Sequence, residues 1–436
     1  MKIKSVLVEN LFELFTYEID FKRVENVLMI TGPNGFGKTM ILNIIFNLFN
    51  RKYSFFRNLI FRKITVNLES DLSFVISKNP QDSKRSLVIN LLKGGTRIET
   101  LNYSQDADRE MTDHIEMYIS RYAPLHRIST NRWMDIRNNK EVDAEEIWDY
   151  LDAVPEEVRK RFERPKSKKI DEILGKIKVH LIKEQRLFKK IPNPERSDHY
   201  GIRSDHNVMS ETIKVYSDEL KEYITQFSEK SFAQTQELDS SYPARLRGET
   251  NILSEEEYGD RYASLKERQK KLRKFGLYDS KQEFLTYTSE DAKALSVYLK
   301  DLEKKLGVFD ELLNKLELFT DILNDRRFTF KSIRINREKG FYFETSSGKY
   351  LELSQLSSGE QHEVVLLYEL IFNVSENVLV LIDEPEISLH VTWQKEFLND
   401  LLRIVKLQNI QVVIATHSPA IINGRWDLVY NLEKEN

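Results

Sequence analysis

Runs and alternations of apolar residues divide the 436-residue chain into three stretches. Up to about residue 135 the pattern is that of strands with one switch to helix. Lys2 to Val8 alternates, Tyr17 to Phe21 is a short strand candidate, and Val27 to Ile30 is a continuous apolar run of the buried kind. TGPNGFGKT follows that run at once, and the apolar, helix-period stretch Met40 to Phe49 comes next. Arg62 to Ile76 and Ser86 to Leu92 predict further strands, with Gly94 and Gly95 as a turn.

From about 140 to 325 the period becomes helical and the composition polar. Leu295, Leu299, Leu302, Leu306, Phe309, Leu313, Leu316, Thr320 and Leu323 recur in steps of four and three, a heptad seam with one polar member. Ile170, Ile173, Leu174, Ile177 and Leu181 form a second stripe, and Ile213, Tyr216, Leu220, Tyr223 and Phe227 a third. Between them, Ile191 to His206 and Leu238 to Thr250 read as loops, because Pro, Gly, Ser and Asp gather there. The strand period returns at Phe328 with FTFKSIRI and GFYFE around a turn at Glu338 to Gly340; strand, helix, strand, helix and strand follow. The expected organisation is an α/β domain whose halves, 1–139 and 326–436, are split by an inserted antiparallel helical arm, 140–325. No 20 to 50 residue repeat is visible.

Composition narrows the classes. With 66 Lys+Arg against 69 Asp+Glu, a nucleic-acid surface has to be local. The absence of cysteine excludes disulfides, thiol catalysis and thiolate metal sites. The opening MKIKSVLVEN is not an apolar leader and no apolar run is long enough to span a bilayer, so a cytoplasmic protein is expected. The densest positive stretch is Arg159 to Lys190, with thirteen Lys/Arg and four Asp/Glu; Lys266 to Lys274 is also basic. Such a stretch suits sequence-blind phosphate contacts, a solvated helix face or a docking face for another subunit.

Four segments carry chemistry. Gly32 to Thr39 fits G-x-x-x-x-G-K-[ST] at every fixed position. Its glycines let backbone N–H groups around Asn34, Gly35 and Gly37 face phosphate oxygens; Lys38 reaches the β- and γ-phosphates and Thr39 can ligate Mg²⁺. Val378 to Ile382 is a buried-type strand ending in Asp383 and Glu384. Two carboxylates at the carboxyl edge of a parallel sheet suit Mg²⁺ binding, by Asp383, and orientation and deprotonation of a lytic water, by Glu384. Gln411 to Ala415 ends likewise in Thr416 and His417, where an imidazole can hydrogen-bond the γ-phosphate or that water. Leu356-Ser357-Ser358-Gly359-Glu360-Gln361 opens a helix that Ser357 can cap and whose N–H groups Gly359 leaves open to an anion.

GPNGFGKT, LSSGEQ, VLVLIDEP and ATHSP, in that order, resemble the Walker A, signature, Walker B and switch-histidine motifs of the ABC-type ATPases, in the branch that includes SMC and Rad50. The resemblance implies an ABC/SMC-like P-loop ATPase head with ATP and Mg²⁺ as cofactors. It further implies a head-to-tail homodimer, or higher oligomer, in which Ser357 and Gly359 of one copy contact the γ-phosphate held by the other, with Glu360 of the same turn a further cofactor-binding candidate. Asn10-Leu11-Phe12 resembles the segment near the adenine of SMC-like heads, which makes Phe12 a cofactor-binding candidate. Gln81, Gln105 and Thr130-Asn131-Arg132 all remain candidates for the family's glutamine loop, and Glu386-Ile387-Ser388-Leu389-His390 lacks the usual D-loop aspartate.

The arm is longer and more polar than the insert of a transporter subunit, and the chain has no CxxC hook of the Rad50 kind. Nineteen residues after His417 leave no room for the TOPRIM domain of OLD-type nucleases. GPNGFGKT, LDSSYPARL, LSSGEQHE and IDEPEISLHVTWQ together resemble the PtuA-type ATPase subunits of Septu and retron-associated anti-phage systems. That resemblance implies regulation of a separate HNH nuclease subunit, PtuB-like. Asp198-His199 and Asp205-His206-Asn207 have no recognised nuclease spacing. Two further readings stay open: an autonomous SMC/Rad50-like DNA-repair or chromosome ATPase that binds DNA, and a protein that binds nucleotide as a signal and barely hydrolyses it.

Overall fold

A computed structural model describes residues 2–21, 25–78, 86–103, 122–123, 125–129, 132–135, 140–143, 150, 167–183, 188–191, 208–278, 286–326, 328 and 330–433. In chain order they begin with β1 (Ile3–Leu11), β2 (Phe15–Asp20), β3 (Val27–Thr31), α1 (Lys38–Phe49), α2 (Ser54–Asn58), β4 (Lys63–Leu68), β5 (Leu72–Lys78), β6 (Leu87–Lys93) and β7 (Thr96–Tyr103). Next come β8 (Leu125–Ser129), β9 (Arg132–Asp135), β10 (Lys140–Asp143), α3 (Lys168–Gly175), β11 (Val179–Ile182), β12 (Phe188–Ile191) and β13 (Val208–Glu211). The helices α4 (Thr212–Gly248), α5 (Glu255–Lys274), α6 (Ala292–Gly307) and α7 (Asp310–Arg326) follow. The remainder is β14 (Lys331–Asn336), β15 (Gly340–Thr345), β16 (Tyr350–Leu351), α8 (Ser358–Tyr368), β17 (Leu379–Asp383), α9 (Val391–Gln408), β18 (Gln411–Ala415), α10 (Pro419–Ile422) and β19 (Val429–Asn431). Two compact units result: Met1–Gln185, Lys190–Met209 and Val374–Asn436 in one, Arg186–Lys189 and Ser210–Asn373 in the other.

The first unit holds a parallel sheet in the order β11-β17-β18-β3-β19 and an antiparallel sheet in the order β2-β1-β4-β5-β6-β7. Ile41, Leu42, Ile44, Ile45 and Leu48 of α1 share one core with Val6, Ile64, Val66 and Phe74 of the antiparallel sheet and with Leu381 and Val413 of the parallel one. Strands buried on both faces need near-continuous apolar side chains, which is why β3 begins VLMI and β17 LVLI before each ends in one polar residue. β4, β5 and β6 bury alternate residues, matching the period of two in their sequences.

One apolar stripe changes form. Ile170 and Leu174 lie on α3 as its helical period predicts, but Val179 to Ile182 continue as strand β11, beside β17. A four-residue segment with three apolar members fits either period, and the unfilled edge of the parallel sheet decides it.

In the second unit the heptad seam is buried from Leu295 to Leu323, Thr320 included, across two helices that meet at Val308 and Phe309. The expected loop at Leu238 to Thr250 is instead the last part of α4, which runs through Pro243 to Gly248. Proline removes one N–H from the ladder, normally enough to end a helix. Here side chains hold the neighbouring carbonyls: the Ser240 and Ser241 hydroxyls donate to the Glu237 carbonyl, and the Arg245 guanidinium donates to the Leu238 carbonyl while it grips Asp301 on α6. Arg245 thus converts a breaker sequence into a helix fixed to its neighbour. Among the described residues no helix is long and apolar enough to cross a membrane.

Tyr216, Phe319, Phe341, Tyr368 and Phe372 stack where α4, α7, α8 and the β14–β15 hairpin meet; the Tyr216 and Tyr368 rings are 4.6 Å apart. The hairpin reaches this cluster through Gly340, whose φ is 71° and against which the Ser217 carbonyl lies so closely that an added Cβ would sit 1.9 Å from its oxygen. Ser217 also accepts the Phe341 N–H at 3.2 Å. Gly340→Ala is therefore expected to destabilise the protein by about 3 kcal/mol or more, whereas Gly348→Ala, with φ 77° and open space around it, should cost about 1–2 kcal/mol. Denaturant unfolding of the two variants beside the parent measures the difference.

Candidate functional site

The first unit gathers three sequence-distant strand ends. Parallel register sets Ala415 of β18 between Asp383 of β17 and Ile30 of β3, so all three strands stop at one edge and their following loops rise from it. Gly32 to Gly37 turn from β3 into α1 with positive φ at Gly32 (152°), Gly35 (88°) and Gly37 (86°). The turn is braced from beneath: the Tyr17 hydroxyl donates to the Phe36 carbonyl at 2.9 Å, and Phe15 stacks on Phe36 at 5.2 Å. Asn34 and Gly35 are exposed at the tip. Lys38 is buried, and its ammonium donates to the Gly32 and Pro33 carbonyls at 2.8 and 3.2 Å, spanning the loop. Thr39, the next residue, places its hydroxyl 3.0 Å from an Asp383 carboxylate oxygen, 344 positions away in sequence.

Past Asp383 the chain turns sharply. Glu384 takes φ 43° and ψ 58°, a left-handed conformation that strains a non-glycine residue, and its N–H donates to the Ala415 carbonyl at 2.9 Å. His417 is half-exposed, with Nδ1 4.0 Å from a Glu384 carboxylate oxygen and 3.1 Å from Oε1 of Glu386. Glu386 was not singled out in the sequence. Its buried Oε1 also accepts the Thr416 hydroxyl and the His417 N–H, each at 2.8 Å. Gln394 of α9 ties the two loops together, donating to the Glu386 carbonyl at 3.1 Å and accepting from the Ser418 hydroxyl at 3.0 Å. Only the pairing Glu-Pro-Glu after a strand hinted at Glu386; its role depends on β17 and β18 being neighbours.

Phe12 sits in the tight turn between β1 and β2 with φ 56°. Its ring would lie 3.7 Å from a Cβ on Gly37, so the glycine and the ring share a boundary. On the other side Phe12 and Met40 line a cavity of about 590 Å³ that also includes Phe46, Phe55, Asn43 and Lys52.

Ser357, Gly359 and Glu360 belong to the second unit. Ser357 caps α8 in a reciprocal box: its hydroxyl accepts the Glu360 N–H, and the Glu360 carboxylate accepts the Ser357 N–H at 2.8 Å. The same carboxylate meets the Lys331 ammonium at 2.9 Å. Burial alone would push the Glu360 carboxyl up, but the Lys331 ammonium and the Ser357 donors outweigh it and hold it below the usual carboxylate range.

Several sequence candidates lie outside the described residues: Gln81, Gln105, Thr130, Asn131, Asp198, His199, Asp205, His206, Asn207, and 159–166 and 184–187 of the basic stretch. On the other basic segment, Lys271 pairs with Glu317 at 3.0 Å and Arg268 with Asp310, so part of that charge is balanced within the arm.

The AAA ATPase domain family model matches residues 1–422. The chain is 29% identical over 160 residues to the DNA double-strand break repair Rad50 ATPase of Sulfurisphaera tokodaii, covering 36% of this chain and 17% of that protein. It is 33% identical over 122 residues to Protein ea59 of Escherichia phage lambda, covering 27% of this chain and 23% of that protein. The chain thus spans less than a quarter of the length of these two relatives. Among solved structures, the SMC head domain from Thermotoga maritima aligns over 99% of this chain and 94% of that chain, with 13% identity and a TM-score of 0.32.

Because the folded Glu360 carboxyl titrates below its ordinary value near 4.5, its contribution to stability is complete above that value and is lost as pH falls through the folded one. Lys331→Met should lower stability by about 0.5–1 kcal/mol near pH 7, a figure already reduced for solvent screening. The difference from the parent should shrink as pH falls through the lowered folded value, and urea titrations at pH 7 and at a series of acid pH values measure it.

Proposed function

The chain belongs to the AAA ATPase domain family, and from that premise we propose that it is the ATP-hydrolysing subunit of an anti-phage defence complex, governing a separate HNH nuclease subunit of the PtuB kind. The observation that carries the ATPase part is the convergence of Lys38, Thr39, Asp383, Glu384 and His417 at one edge of a parallel sheet, although they come from residues 38 to 417. Thr39 and Asp383 offer a hydroxyl and a carboxylate as adjacent oxygen donors, the set a hard divalent cation takes, so these two residues would hold Mg²⁺. Held there, Mg²⁺ would neutralise charge on the phosphates. The N–H groups around Asn34, Gly35 and Gly37 face the phosphate oxygens, and Lys38 exchanges loop carbonyls for the β- and γ-phosphates. Glu384 orients the attacking water and accepts its proton; His417 hydrogen-bonds the γ-phosphate or that water. Phe12 packs against the adenosine, with the cavity behind it giving the base room.

On this reading two copies join head to tail. Ser357 and Gly359 of one copy, on the α8 turn that Glu360 holds rigid, face the γ-phosphate bound by the other, so ATP binding drives association. On this reading the head is formed by 1–139 and 326–436, with α3 and β11 of the interposed stretch 140–325 packed into it, and the compact unit that includes 210–373 combines arm and signature turn. The defence role is supported by the joint match of GPNGFGKT, LDSSYPARL, LSSGEQHE and IDEPEISLHVTWQ to PtuA-type subunits. A second reading, an autonomous DNA-repair ATPase that binds DNA, is favoured by the likeness to the Rad50 ATPase over 36% of the chain.

Glu384→Gln is expected to lower the ATPase rate roughly 100-fold or more while ATP affinity stays within about threefold, and to shift the protein toward a dimer in ATP. Steady-state kinetics with light scattering measure both, and an unchanged rate removes the assigned role. Affinity purification from the native host followed by mass spectrometry separates the two readings: an HNH nuclease recovered with the chain supports the first, whereas salt-dependent DNA binding with no nuclease supports the second.

A further inference from the structure

We propose that Glu386 is a positioning residue of the ATPase site: its buried carboxylate fixes the His417 imidazole in the Nδ1–H form, which leaves Nε2 as the nitrogen available to the reaction. The inference rests on the role given to His417 above and adds the group through which that residue is set.

A single oxygen makes the arrangement. Oε1 of Glu386 accepts the backbone N–H of His417 at 2.8 Å and lies 3.1 Å from its ring Nδ1, so it grips one residue at two points and fixes both the backbone and the ring. A carboxylate has only lone pairs to offer. With a carboxylate oxygen 3.1 Å away, the protonated Nδ1 is favoured over the bare one, because two facing lone pairs repel. The Thr416 hydroxyl donates to the same oxygen at 2.8 Å and accepts the Ser418 N–H at 3.0 Å, which orients that hydroxyl toward the carboxylate. Glu384 cannot fill this place: its nearest oxygen is 4.0 Å from Nδ1, and the role proposed for it needs the carboxylate free.

Burial makes the arrangement selective. Glu386 is 6% exposed, and its second oxygen, Oε2, is buried without a hydrogen-bond partner among the described residues. Leaving a carboxylate oxygen unpaired in the interior costs free energy. What the carboxylate supplies is a negative charge on the ring's Nδ1 side.

The tautomer can be read on the unmodified protein. Long-range ¹H–¹⁵N correlation of the His417 ring, assigned through the signal lost in His417→Ala, should show Nδ1 protonated and Nε2 bare in the neutral ring; the opposite tautomer overturns the proposal without any change at Glu386. Glu386→Gln should mix the two tautomers and lower kcat about 10- to 100-fold, with KM for ATP within about twofold. A merely structural role would affect melting temperature and KM and leave the ring signals alone, so that pattern also overturns it. The layers fail separately. Full kcat in Glu386→Gln beside a slow His417→Ala removes Glu386 only, whereas full kcat in His417→Ala removes the role of His417 and this proposal with it.

Discussion

Parallel pairing of β3, β17 and β18 is the constraint on which the site depends. Parallel neighbours cannot be joined by a tight turn, so each strand needs a crossover, and here the crossover between β3 and β17 contains most of the chain. Register then does the chemical work. With Asp383 opposite Ala415, and Ala415 opposite Ile30, the first residues past each strand emerge together, and a one-residue slip would move the Thr39 hydroxyl out of reach of Asp383. Helix α1 holds the register by filling the space between the two sheets with five fully buried aliphatic side chains.

Legibility in the sequence follows the range of the interaction. The glycine turn, the apolar strand before it, the apolar helix after it and the Ser357 cap are local signals, each decided within a few residues, and the structure places them as read. The α/β class follows from them. Three features were hidden because their causes lie elsewhere in the chain. Val179 to Ile182 became a strand because β17 had a free edge, and α4 passed Pro243 because Arg245 could reach Asp301, 56 positions on. Glu386 acquired its partners only when β17 and β18 lay side by side. Propensity and period are summed over short windows and miss such long-range gains.

Strain and unpaired polarity collect at the same edge. Glu384 is left-handed without being glycine, and Glu386 buries a carboxylate oxygen without a partner. Each costs free energy that the packed sheet behind it sustains, as expected where side chains are fixed for a reaction rather than for stability. In contrast, the Glu360 box on α8 is fully paired and contributes stability.

The aromatic cluster of the second unit has a mechanical meaning. Tyr216 lies near the root of the 37-residue helix α4, and Tyr368 closes the helix that Ser357 begins. Their stacked rings, wedged with Phe319 and Phe341, leave no compliant layer between those two helices. A torque applied along the arm is transmitted to the serine turn without slack, as through a crank and its axle.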